Sequence, residues 1–157
     1  MSQSLASRDL QERLVGVLPS IPPARPLFQG FMERLTLPSS QVLPELQETV
    51  AEYHRDVVTE IVRTLEQSPV VVVGMTINPF VKKARQALDQ AGIPYAYLEY
   101  GGYLSRWRER LAIKMWSGWP TFPQVFVQGQ LVGGATDLER WIREGRLQSL
   151  LQSTEAA

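Results

Sequence analysis

The chain has no cysteine, a single histidine (His54), and only three lysines against thirteen arginines. Without a thiol there is no thiolate to attack a disulfide, no covalent staple, and no thiolate ligand for a metal or an iron–sulfur cluster. One imidazole with no cysteine beside it does not make a zinc site, so no metal is expected. Sixteen basic and sixteen acidic residues cancel, which removes the field that draws a protein to nucleic acid or to an anionic membrane. No apolar run approaches the roughly 18–20 residues that span a bilayer. The first residues, Met1 to Ala6, lack the charged start and apolar centre of a secretory signal, and a cytoplasmic location is expected. The absent cysteine says nothing about redox compartment.

What is present is ordinary for a folded protein: 157 residues, 44% hydrophobic and 20% charged, enough for one domain with an appendage. Residues 1–66 read as an N-terminal helical extension. Ser7 would cap a short helix with Leu10, Leu14, Val17 and Leu18 at helical spacing. The proline-rich stretch at 19–26 interrupts it, and Phe28, Phe31, Met32 and Leu35 suggest a second short helix. A longer one is expected over 40–67, with Leu46, Val50, Tyr53, Val57, Ile61 and Leu65 forming one stripe. His54 lies on that helix and is expected to be exposed or to cap.

From residue 67 the pattern changes. Val70-Val71-Val72-Val73 is the continuous β-branched run of a strand buried on both faces. A helix from Pro79 to about Ala91 follows, with Val81, Ala84, Leu88 and Ala91 inward, and Tyr95 to Glu99 is a second strand. A helix is expected at about 103–116. Val125-Phe126-Val127 and Leu131-Val132 flank Gln128-Gly129-Gln130 as a hairpin. A further helix from about Thr136 to Glu144 stops at Gly145, and a short one runs through Leu147, Leu150 and Leu151. Periodicity alone gives an α/β domain.

Four elements, in order, carry a resemblance to a known family. Val71-Val72-Val73-Gly74-Met75 leads into Asn78-Pro79-Phe80-Val81. Thr121-Phe122-Pro123 follows, then Gly129 in the hairpin, then Gly133-Gly134-Ala135-Thr136-Asp137. Taken together, from Pro69 to Leu151, they resemble a glutaredoxin. The Trp119-Pro120-Thr121-Phe122-Pro123 segment is similar to the monothiol branch. The resemblance implies a thioredoxin-like fold, a four-stranded mixed sheet with helices on both faces. Where the family carries Cys-Pro-Tyr-Cys, this chain has Asn78-Pro79-Phe80-Val81. Asparagine followed by proline is a strong helix start, so Asn78 is expected to cap rather than to react. Asn78, Pro79, Phe80 and Val81 are thus a degenerate site with no catalytic residue expected.

The resemblance also implies a groove for glutathione. A cis Pro123 would expose the backbone of Phe122, Gly134, Thr136 and Asp137 would meet the γ-glutamyl end, and Arg110 would meet the glycine carboxylate. Against this, Met75 stands where glutaredoxins commonly place a lysine. The residues themselves allow a blander reading: a tight turn, an N-cap at Thr136 or Asp137, and a solvated Arg110. Three functions stay open. The first is a redox-inactive module that binds glutathione or a peptide partner as an adaptor. The second is a transferase-type enzyme in which bound glutathione is the nucleophile and Thr76 or Asn78 stabilises its thiolate. The third is a purely structural interaction module.

Overall fold

The computed structural model describes residues 34–155. The expected helices and proline-rich stretch before residue 34 lie outside them. Every described element lies in one compact unit that begins at Thr36. Residues 34–38, including Leu35, are not helical.

The long helix expected over 40–67 is two helices, α1 (Pro44–Glu52) and α2 (Arg55–Gln67), after a short 3-10 turn at Ser39–Gln41. The break is at His54, whose backbone is left-handed (φ 47°) and whose carbonyl accepts from the Val57 and Val58 N–H groups. Its imidazole makes no capping bond; it is half-buried and meets the Tyr53 ring edge-on at 4.8 Å. The change of direction divides the apolar stripe. Val57 and Ile61 enter the core, whereas Leu46 and Val50 are exposed.

The sheet has the order β2-β1-β3-β4. β1 (Val70–Gly74) runs parallel to β2 (Ala96–Glu99) through helix α3 (Pro79–Gln90). Helix α4 (Trp107–Ser117) leads to β3 (Gln124–Val127), antiparallel to β1, and β4 (Gln130–Gly133) returns antiparallel to β3. Gln128 and Gly129 both take positive φ, as a two-residue hairpin matched to strand twist requires. Helices α5 (Ala135–Arg143) and α6 (Arg146–Glu155) close the chain, with Gly145 between them.

The pleat of β1 explains its unbroken apolar run. Val70 and Val72 point into a cluster with Ala84 and Leu88 of α3, Leu138 of α5 and Leu147 of α6. Val71 and Val73 point to the opposite face, into Val57 and Ile61 of α2, Ile113 of α4 and Phe126 of β3. A strand covered on both sides has no position left for a polar residue.

Candidate functional site

Three segments converge where β1 ends, and the first is the start of α3. Asn78 is in an extended conformation and its Oδ1 accepts from two backbone donors, Phe80 N–H at 2.9 Å and Val81 N–H at 3.1 Å. Pro79, the first helical residue, has no donor to satisfy. The amide oxygen that occupies the thiol position is therefore bound inward to its own helix. Phe80 is 56% exposed beside it, and Val81 is buried. Met75 is buried in the cluster beneath, with Phe122 and Tyr100.

The second segment is the loop before β3. The Phe122–Pro123 peptide is cis, and neither the N–H nor the C=O of Phe122 has a hydrogen-bond partner among the described residues. The Phe122 ring is buried under the Lys114 ammonium. The third segment is the turn into α5. The Gly134 N–H donates to Asp137 Oδ2 at 3.1 Å, while Asp137 Oδ1 accepts from Arg140 at 3.0 Å. Gly133 has φ +117°, and a Cβ there would lie 2.5 Å from Asp137 Oδ2, so only glycine fits. A Cβ on Gly134 would instead stand at ordinary distance, 3.7 Å from the Pro123 carbonyl and 3.9 Å from Trp119 Nε1. That indole N–H is buried and lacks a partner. Thr136 is exposed on the first turn of α5.

Arg110, expected to meet a carboxylate, lies outside these three segments and is engaged within the chain. It is only 8% exposed, and its guanidinium donates to the Tyr100 carbonyl at 2.7 Å and to the Ser105 carbonyl. It pins the loop between β2 and α4. The sequence held a signal for this: Arg110 is three residues before the fully buried Ile113, on the inward face of the same helix.

Sequence reasoning also missed a polar network on the β2 side of α3. Tyr97 and Glu99, two apart on an edge strand, share one face. The Glu99 carboxylate accepts from the Thr76 hydroxyl at 2.8 Å and from the Tyr97 hydroxyl at 3.2 Å. Burial, with the Glu99 charge next to it, pushes the Tyr97 hydroxyl up to about 12. Arg85 lies 4.2 Å above the Tyr97 ring and donates from Nε to the Tyr95 hydroxyl at 3.3 Å, a bond that raises its pKa. On the other face, Tyr100 donates to Glu60 at 2.7 Å, and burial together with that bond holds its hydroxyl protonated far above the ordinary range. Among the described residues no three His, Cys, Asp or Glu side chains come together as a metal site would need.

A parallel β1-α3-β2 unit, an antiparallel hairpin and a cis proline just before β3 define a thioredoxin-like protein. The comparisons narrow this. The glutaredoxin family profile matches residues 70–132. A glutaredoxin-like protein of Dictyostelium discoideum is 48% identical over 95 residues, covering 60% of this chain and 77% of that one. The protein named probable monothiol glutaredoxin GrlA of Legionella pneumophila is 32% identical over 78 residues, 50% of this chain and 84% of that one. Oxidized glutaredoxin 2 of Chlamydomonas reinhardtii superposes with a TM-score of 0.56 at 27% identity, over 66% of this chain and 97% of that one. A buckwheat glutaredoxin in complex with glutathione shares the fold at a TM-score of 0.57 and 22% identity, over 68% and 94% of the two chains. The chain belongs to the glutaredoxin family, and it has no cysteine. None of its described helices is long and apolar enough to cross a membrane.

Proposed function

We propose that this protein is a redox-inactive glutaredoxin-like binding module that holds glutathione, or an extended peptide, in the groove between Asn78, Phe122 and Gly134. The observation that carries this reading is the unpaired Phe122 backbone beside Pro123. A free N–H and C=O on one residue form the shortest edge to which an extended ligand can add. The buried, unpartnered Trp119 N–H near Gly134 supports it, because a buried donor without an acceptor is unfavourable until something supplies one. Phe80, Thr136 and Asp137 flank the groove; Arg110 is assigned no ligand contact. With no thiol in the chain, the groove binds without exchanging disulfides, and its role is that of an adaptor or regulatory module.

The test is calorimetry with reduced glutathione on the wild type and on Gly134→Val. The added side chain begins at ordinary contact distance from Pro123 and Trp119, so the fold tolerates it while the groove is filled. Saturable binding lost in Gly134→Val supports glutathione as ligand. No heat at millimolar glutathione removes it, and an extended peptide is then the remaining occupant.

A further inference from the structure

A second groove lies on the opposite flank of α3, between that helix and β2, with a volume of about 590 Å³, within the range of small-molecule sites. Its floor is Met75 and Val81, both buried. Its walls are the Tyr97 ring and the polar edge of α3, and its head is the loop at 76–78.

Two cations on that wall are available. Lys82 and Arg85 are three apart and share one helix face. Lys82 has no ion pair among the described residues, unlike its neighbour Lys83, which pairs with Glu139 at 2.8 Å. Stacking on Tyr97 and the Nε bond to Tyr95 fix the plane of the Arg85 guanidinium, and its two terminal nitrogens donate to nothing among the described residues. A planar fork held in place with its outer donors free suits a carboxylate or a phosphate. Glu99, the acid at the head, is occupied by the Thr76 and Tyr97 hydroxyls; Asp89 lies one turn beyond Arg85.

Ile77 supplies an independent observation. It is β-branched, has φ 55° and is 86% exposed at the head of the groove. A branched side chain in the left-handed region is a strained backbone, and such strain concentrates at ligand sites. Here it presents an apolar side chain to solvent at the head of a groove whose wall carries Lys82 and Arg85.

We propose that the α3–β2 groove binds a small organic anion, its carboxylate or phosphate between Lys82 and Arg85 and its apolar body over Met75, Val81 and Ile77. The site shares the 76–78 loop with the glutathione groove, but its anion is held by Lys82 and Arg85, which that groove does not use, so either can fail alone.

The test is heteronuclear NMR titration of the full chain with phenyl phosphate, phenylacetate and, as a neutral control, benzyl alcohol. Binding of either anion, with shifts at 76–78, 82–89 and 97–99, supports the proposal, and their ranking tells phosphate from carboxylate. Arg85→Gln should weaken the preferred anion by about tenfold. Arg85→Lys, which keeps charge but not the fork, should fall between, and Lys83→Gln should match the wild type. Shifts confined to 119–137, equal affinity for benzyl alcohol, or an unchanged Arg85→Gln would each overturn it.

Discussion

Asparagine at the thiol position is a structural replacement, and removing its cap measures how much. Asn78→Ala deletes the acceptor for two N–H groups. The Phe80 N–H is exposed, so water replaces most of what it loses; the Val81 N–H is partly buried and is left with less. Pro79 has no N–H, and the Lys82 N–H keeps the Asn78 carbonyl at 3.1 Å, so nothing else at this helix end changes. The expected loss is about 1 kcal/mol, in the middle of the range for N-cap deletions. In a fold of this size that lowers Tm by about 4 °C. Asn78→Ser keeps an acceptor in reach and should lose less than half as much. Asn78→Asp adds a charge at the positive helix end and should equal or exceed the wild type by up to about 1 kcal/mol at low salt. Urea unfolding followed by circular dichroism, with equal m-values across the set, gives these differences. An Asn78→Ala protein as stable as the wild type, or an Asn78→Ser protein that falls as far as Asn78→Ala, would refute the capping account and reopen a chemical role for the amide.

Ile77→Asn should stabilise the fold by about 1 kcal/mol, because Asn tolerates the left-handed region and little burial is lost at 86% exposure; a loss in thermal unfolding would show that the Ile77 side chain makes stabilising contacts. Arg110→Ala should lower stability by about 2–3 kcal/mol by stranding the Tyr100 and Ser105 carbonyls, whereas the exposed Arg108→Ala should change it by under about 0.5 kcal/mol; equal effects in denaturant titration would contradict the buried clamp. Tyr97 ionises in the fold near 12, above its ordinary value of 10. The neutral hydroxyl is the stabilised form, so its contribution is complete below about pH 10 and is lost as pH rises through about 12. Tyr97→Phe should remove that late tyrosinate step in ultraviolet difference spectra, and an unchanged titration would show that Tyr97 is not held up by its burial and the Glu99 charge.

Features fixed by near neighbours were legible in the chain alone. The Asn78 cap depends on donors two and three residues away, the hairpin on Gln128 and Gly129, and the buried strand on four consecutive valines. The missing thiol needs no structure at all. Features that depend on distant partners were not legible. Arg110 reads as a solvated or ligand-facing residue until the fold brings the Tyr100 and Ser105 carbonyls over it. Leu46 and Val50 share a helical period with Val57 and Ile61, but the turn at His54 sends only the second pair to the sheet. The α3–β2 groove exists because β2 packs parallel to β1 and sets Tyr97 beneath Arg85. The sequence alone determined that this glutaredoxin carries no thiol. Tertiary structure decided which cations are buried and which are free, because burial and pairing are set by contacts across the chain and not along it.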